Sequence, residues 1–269
     1  MAFGRVASMR IGPEGQQGVD IEGLRFAFSI TKTDLQSANE AHISVYNLSD
    51  NTLGIIDDEN VVLVFRAGYE DEGGAKGLFW GLVEDLETTR SSPDFETRIN
   101  AYDGARRLDE RYVTLSFRGG VSIERAADAA IDALGLPLGN ERPISGRMPG
   151  GFSFSGLATD ALSTILDEAG LTWSVQNELL YIYAEGENVE PQALRLTKDT
   201  GLIGPVVDVS RKGERRWMAT SLLYPELVPG AIVRIESREA TGMFVIERSD
   251  FRGDTHQGEF AAEIEVREV

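Results

Sequence analysis

From Ile21 the chain reads IEGLRFAFSIT, with Leu24, Phe26, Phe28 and Ile30 spaced two apart. That period sends one row of side chains into a core and the other toward water, which predicts a half-buried strand. AHISVYNL repeats it with Ile43 and Val45, and Val61–Tyr69 (VVLVFRAGY) is apolar enough for a strand buried on both faces. Phe3–Ile11 reads as a strand before them. GLFWGLVEDLETTR and FETRINAYDG come after, joined across the turn residues Ser91-Ser92-Pro93-Asp94. Ser49–Asp57 fits one or two helical turns with Ser49 as N-cap. Five or more antiparallel strands in about 100 residues is the spacing of a small barrel or sandwich.

The period changes near Val121. In SIERAADAAIDALG the residues Ile123, Ala126, Ala127, Ala130, Ile131 and Leu134 make one helical stripe, with Ser122 as N-cap and Gly135 past the C-terminus. Gly135–Gly156 is rich in glycine and proline and reads as a loop. A second helix carries Ala158, Ala161, Leu162, Ile165, Leu166 and Ala169 and stops at Gly170. LTWSV and ELLYIYA form a hairpin by pattern, turning at Gln176-Asn177. From about Gly201 strands return in GPVVDVS, WMATSLL, AIVRIES, GMFVIERSDF and EFAAEIEV. The order is β-rich, α/β, β-rich, so the fold class is mainly β with an α/β insert (α+β).

Composition narrows the chemistry. No run approaches 18 apolar residues, so no transmembrane helix is expected. The start, MAFGRVASMRIGPEG, lacks the apolar stretch of a secretory signal peptide. Cysteine is absent, which removes disulfides, thiolate zinc sites and cysteine nucleophiles. A formal net charge of −18 repels phosphates and argues against stable nucleic-acid binding. Residues 1–110 hold 20 acidic and 10 basic side chains, more than their share of the excess.

Catalytic constellations are sparse. His42 and His256 are the two histidines, and His42 falls in an alternating strand. Gly151-Phe152-Ser153-Phe154-Ser155 departs from the Gly-x-Ser-x-Gly elbow that exposes a nucleophilic serine. The adjacent carboxylates Asp57-Asp58-Glu59, Glu70-Asp71-Glu72 and Asp167-Glu168 read as solvated turns rather than pairs facing across a cleft. Gly68, Gly73, Gly74 and Gly77 bracket acidic residues that would repel a phosphate. Asn47-Leu48-Ser49 spells a glycosylation acceptor without a secretory context, and Arg211–Arg216 (RKGERR) reads as a polar hairpin tip. Ser249–Phe260, SDFRGDTHQGEF, contains an Arg-Gly-Asp tripeptide together with Asp250, Asp254, His256 and Glu259. Neither cell adhesion nor metal ligation fits its context, whereas two alternating strands around Gly253 and Gly258 fit a tight hairpin. No residue is assigned as catalytic, cofactor-binding or metal-ligating, and no cofactor is expected.

The order of several motifs resembles the baseplate or tail hub proteins of tailed phages. Asn39–Ser49 (NEAHISVYNLS) is similar to that family's N-x-A-x-I-x-I-Y-N-L-S strand and helix start. Phe65–Tyr69 with Leu78–Val83 and Ala101-Tyr102-Asp103-Gly104 resemble the next strands of its first barrel. Ala161–Leu166 through Gly170–Val175 is similar to its helix–hairpin insert, and Ser221–Gly230 (SLLYPELVPG) to the entry of its second barrel. Gly253-Asp254 followed by Gly258-Glu259-Phe260 matches its last hairpin. The resemblance implies two tube-like β-barrel domains, 1–118 and 201–269, flanking an α/β insert at 119–200. It implies a structural protein, not an enzyme: a homotrimer in the tail tip of a virion, made in the host bacterial cytoplasm. It would adapt a hexameric tail tube or distal tail protein to a central spike and other baseplate proteins. DNA would touch it only in transit through the lumen, and no stable membrane binding is implied. The alternative is a carbohydrate-binding or peptidoglycan-active β-rich tail-tip module, which needs an aromatic cleft around Trp80, Trp173 or Trp217.

Overall fold

The structure, a computed structural model, describes residues 4–33, 38–56, 60–91, 93–103, 108, 111–176, 179–184, 194–211 and 215–269. Asp57-Asp58-Glu59, Ser92, Gly104, the turn residue Asn177 and residues 212–214 of the RKGERR run lie outside the described residues. Two compact units emerge. Met1–Thr33, Asn39–Asp103 and Glu190–Val269 form one, and Asp34–Ala38 with Gly104–Val189 form the other.

In chain order the strands begin with β1 (Arg5–Pro13), β2 (Val19–Glu22), β3 (Phe26–Thr33) and β4 (Glu40–Tyr46), then helix α1 (Asp50–Ile56). Next come β5 (Val61–Tyr69), β6 (Gly74–Ser91) and β7 (Asp94–Tyr102). The second unit holds β8 (Tyr112–Phe117), β9 (Val121–Ser122), α2 (Ile123–Leu134), β10 (Arg147–Met148), β11 (Phe152–Leu157), α3 (Ala158–Asp167), β12 (Leu171–Gln176) and β13 (Leu179–Ala184). The first unit resumes with β14 (Leu194–Thr197), β15 (Leu202–Asp208), β16 (Arg216–Leu222), β17 (Ile232–Glu236), β18 (Thr241–Asp254) and β19 (Phe260–Glu268).

All the strands of the first unit belong to one 13-stranded sheet, ordered β15-β16-β19-β18-β3-β4-β7-β6-β5-β1-β2, with β17 pairing both β14 and β18. The early and late stretches of sequence meet where β3 pairs antiparallel with β18, from Ala27↔Asp254 to Thr33↔Arg248. Strand β3 alternates as its sequence demands, with Phe26, Phe28, Ile30 and Lys32 buried and the residues between them half-buried on the other face. The sheet curls on itself. β3 and β5 are not neighbours in it, yet the Phe28 and Phe65 rings meet edge to face at 4.9 Å and those of Phe26 and Phe65 at 5.7 Å. Phe260 extends this cluster, 5.7 Å from Phe28 and 5.2 Å from Tyr69. The Tyr69 hydroxyl donates to the Phe260 carbonyl at 2.8 Å, which satisfies a polar group that burial would otherwise penalise. β5 alternates between buried and half-buried residues up to Arg66 and is buried throughout only over its last three residues, so it is less enclosed than its apolar sequence suggests.

Gly253 is opposite Phe28 across the seam. A Cβ there would lie 2.4 Å from the Phe28 ring and 2.8 Å from the Phe260 ring. Glycine is required by the two aromatic rings that fill the space of a side chain.

A buried polar row lies at the C-terminal end of β3. Lys32 is 1% exposed, Asn39 2% and Asp103 0%. Asn39 accepts from the Thr33 N–H at 3.0 Å and donates to Asp103 Oδ2 at 3.2 Å. Burial pushes the Lys32 ammonium down to about 8, against the opposing charge of Asp103.

In the second unit α2 matches its sequence closely. The six stripe residues are buried, Ser122 Oγ accepts from the Arg125 N–H, and Gly135 adopts φ 67°. α3 ends at Asp167, so it stops short of the predicted Gly170, which follows it in a left-handed turn at φ 64°. The predicted loop Gly135–Gly156 is corrected, because it contains β10 and all of β11 but its last residue. Phe152 and Phe154 alternate with Ser153 and Ser155 and pair with Phe117 and Leu115 of β8, whose own alternation the flanking glycines obscured. The β12–β13 hairpin forms as predicted, and Trp173 is fully buried with its indole N–H donating to Ser163 Oγ at 3.1 Å.

Two measurements check this packing. Gly253→Ala should lower unfolding free energy by about 1–3 kcal/mol through overpacking, and Phe28→Leu in that background should recover part of the loss. For Lys32, the unfolded chain holds a proton up to about 10.5 and the folded chain to about 8. The unfolded state therefore binds more protons in this window, and stability contributed by this group rises with pH across it, by about 3 kcal/mol in all. Lys32→Met should remove that rise from denaturant-unfolding curves measured at pH 8 to 10.5.

Candidate functional surface

The outward face of the sheet around the seam is continuous over eight strands, β15-β16-β19-β18-β3-β4-β7-β6. Register aligns its side chains in rows. One row runs Thr220, Glu263, Asp250, Thr31, Glu40, Tyr102. The next runs Leu222, Ala261, Arg252, Ser29, His42, Asn100, Asp85, and a third carries Asp254, Ala27, Ser44, Arg98 and Glu87. The opposite face of the same strands supplies the aromatic core, so period-two alternation alone makes one side apolar and the other polar.

Four arginines of this face, Arg98, Arg216, Arg248 and Arg267, are tied to carboxylates. Arg248 grips Asp250 two residues along its own strand, with Nε–Oδ2 at 2.7 Å and Nη2–Oδ1 at 2.9 Å. Burial would raise the Asp250 carboxyl, but Arg248 and the Thr31 hydroxyl outweigh it and hold it below the usual range. Arg98 and Glu96 make the same i, i+2 contact at 3.2 Å, and Arg98 followed by Ser44 holds the Glu96 carboxyl down. Arg216 lies opposite Arg267, a like-charge pair bridged by Glu247 at 3.3 and 3.1 Å, while Glu265 takes Arg216 from the other side at 3.3 Å. Glu247 reaches both because the β18–β19 register shifts between Ile246 and Arg248.

SDFRGDTHQGEF forms the end of β18, its turn and the start of β19. Asp254 is only 16% exposed at its side chain and is held by Arg25, Nη2–Oδ2 2.6 Å. Its Oδ1 accepts from the His256 and Gln257 N–H groups at 2.8 and 3.2 Å. Burial pushes this carboxyl up, and Arg25 with the two N–H groups more than reverses that. Arg5 clamps the same turn from outside, donating to the Asp254 and Gly258 carbonyls at 3.0 and 2.9 Å. With Gly253 buried and Asp254 occupied, the tripeptide is not displayed as an adhesion ligand.

The other candidates disperse. His42 is exposed and bonds Asn100 at 2.8 Å, and His256 bonds the neighbouring Thr255 hydroxyl at 3.1 Å. Ser153 and Ser155 lie on β11, where Ser155 meets Thr114 at 3.2 Å. Glu70-Asp71-Glu72 form an exposed 3-10 turn, and Asp167-Glu168 end α3 in solvent. Ser49 caps α1 by accepting from the Thr52 N–H at 3.2 Å. Asn47, at φ 62°, ties that helix entry to the β6–β7 turn through Asp94 and the Phe95 N–H, both at 3.0 Å. Of the three tryptophans, Trp173 is core, Trp217 packs partly against the core, and Trp80 is 44% exposed on β6 rather than packed inside. Among the described residues no group of three or more Asp, Glu or His side chains converges as metal ligands, and no helix is long and apolar enough to cross a membrane.

The fold is that of phage tail proteins. The chain is similar to the 43 kDa tail protein of prophage MuSo2 from Shewanella oneidensis, with TM-score 0.68, 9% identity, and 97% of this chain and 98% of that one covered. It is also similar to a tail protein of Neisseria meningitidis MC58, with TM-score 0.65, 12% identity and coverage of 99% and 97%. A third neighbour is the E. coli c3393 protein, a type VI secretion component similar in structure to the T4 tail proteins gp27 and gp5; here the TM-score is 0.60 at 11% identity, covering 96% and 76%. No family model matches the chain, and no curated protein matches it in sequence.

Asp254→Ala should cost about 1–3 kcal/mol in unfolding free energy by releasing Arg25 and two backbone donors. Calorimetric titration with divalent cations should show no stoichiometric site in either protein.

Proposed function

We propose that the chain is the structural hub of a phage tail tip, a homotrimeric ring that joins the tail tube to the central spike and lets DNA pass. The two strand-rich stretches act as tube-like barrels fused at the β3–β18 seam, and the α/β unit is an accessory to them. The role is architectural and needs no catalysis or cofactor.

One observation carries this reading: the eight-strand sheet alternates in direction throughout and has an open edge at each end. β15 ends the sheet, and Val83–Ser91 of β6 pair only with β7 among the described residues. Unpaired edges are a template for another strand. Because the count is even, β15 and the C-terminal half of β6 run in opposite directions. Copies related by rotation can therefore join edge to edge and stay antiparallel. A ring of three would hold about 24 strands and, at about 4.8 Å spacing and a tilt near 40°, measure about 48 Å across its backbone. Membrane barrels of 16–18 strands already enclose a water-filled channel. Ile203 and Val207, 43% and 50% exposed, supply an apolar strip on β15 at the proposed junction.

Light scattering on size-exclusion peaks should give three times the chain mass, and electron microscopy a threefold ring. Val207→Glu should yield monomers with unchanged circular dichroism. A wild-type chain that stays monomeric at every concentration, or rings of another symmetry, would defeat the proposal.

A further inference from the structure

We propose that Lys32 and Asn39 become joined by an intramolecular isopeptide bond, formed when the Lys32 amine attacks the Asn39 side-chain amide with Asp103 as proton carrier. The inference does not depend on the hub reading, because it concerns a buried cluster inside the first unit that an architectural role leaves unused.

The cluster breaks the pattern of its own face. On the inward side of β18, β3, β4 and β7 one row is Phe251, Ile30, Ala41 and Ala101, all buried and apolar. The next row is Ser249, Lys32, Asn39 and Asp103, none of them more than 2% exposed. Ser249 pairs with Lys32 in the ladder. Continued one step past Thr31↔Glu40 and Glu40↔Tyr102, the register sets Lys32 against Asn39 and Asn39 against Asp103. The Asp103 N–H donating to the Asn39 carbonyl at 3.0 Å carries that alignment through. Residues directly opposed on one face hold their Cβ atoms about 4.5–5.5 Å apart, which puts the Asn39 amide within reach of a lysine side chain. A buried lysine and carboxylate cost more than apolar residues of similar volume even when paired, and Ser249 Oγ has no hydrogen-bond partner among the described residues. Stability alone therefore gives no reason for this row.

Both ends of the Asn39 amide are already held as the reaction requires. Its Oδ1 accepts from the Thr33 N–H at 3.0 Å, a donor placed to stabilise negative charge on that oxygen when Cγ becomes tetrahedral. Its Nδ2, the leaving nitrogen, donates to Asp103 Oδ2 at 3.2 Å. Burial outweighs the attraction of Asp103 and brings the Lys32 ammonium down to about 8, so near neutral pH a fraction of the lysine is the free amine that acts as nucleophile. The amine adds to Cγ, and Asp103 takes the proton that the attacking nitrogen sheds and passes it to Nδ2. The Cγ–Nδ2 bond then breaks, ammonia departs, and an amide joins Lys32 Nζ to Asn39 Cγ. Nothing is oxidised or reduced, and no co-reactant is needed. The bond ties the end of β3 to the residue before β4, where the chain leaves the first unit for residues 34–38 and returns to it. Tension entering through that excursion then meets a covalent clasp before it reaches the β3–β4 ladder.

Intact-mass spectrometry of the full chain tests this, and the wild-type reading needs no variant to fold. Wild type should fall short of its sequence mass by one ammonia, a deficit that Lys32→Met and Asn39→Ala should lack. Proteolysis of wild type should yield a branched peptide linking Lys32 to Asn39. Asp103→Asn keeps the size of the side chain but cannot carry the proton, so after refolding it should acquire the deficit about 100-fold more slowly than wild type. The pH-dependent stability described for Lys32 belongs to the unlinked chain and should be missing from the linked one, whose Nζ no longer binds a proton. Wild type at full sequence mass overturns the inference. So does an ammonia deficit that persists in Lys32→Met, which marks cyclisation of an asparagine onto its own backbone. Formation at the wild-type rate in folded Asp103→Asn overturns the part given to Asp103.

Discussion

Pairing of β3 with β18 is the constraint on which the first unit depends. It joins residues 27–33 to residues 248–254, more than two hundred positions apart, and without it the sheet would be two separate pieces. Its register is fixed by shape. A slip of one residue would turn every side chain to the wrong face. A slip of two would keep the faces but would set Phe28 against Phe251 or Thr255 instead of against Gly253. The notch at Gly253 therefore distinguishes the correct pairing from the one error that hydrophobic patterning tolerates.

Around that seam the two faces of one sheet do different work. Inward, Phe26, Phe28, Phe65, Tyr69 and Phe260 make a core shared by early and late strands. Outward, charge is laid down in pairs. The buried row Lys32, Asn39 and Asp103 marks the places where the backbone leaves the first unit, at Thr33 and Asp103, and re-enters it, at Asn39. Within the first unit these residues are joined to one another, Asn39 accepting from the Thr33 N–H and donating to Asp103.

Much of this was legible from residue spacing. The stripe from Ile123 to Leu134 and its caps, the alternation of β3 and β4, and the hairpin nature of SDFRGDTHQGEF all follow from local periods. Strand β11 was hidden because Gly150-Gly151 and Gly156 flank its short alternation, and the exposure of Trp80 could not be read from a strand pattern that does not say which face is covered. The paired outward face was less accessible still. Arg-x-Asp in β18 and Glu-x-Arg in β7 are visible as letters, but only the pairing through β3 and β4 places them on one face of one sheet. Long-range pairing is a property of the folded sheet, and no local window contains it.

In the ring proposed above, the even count of the eight-strand stretch from β15 to β6 also limits how such a protein can change over time. Losing or gaining a single strand would leave its two edges running the same way, so neighbouring copies could meet only through a parallel joint. Gains and losses in pairs preserve the match. Hairpins, not strands, are then the units in which such a ring can grow or shrink.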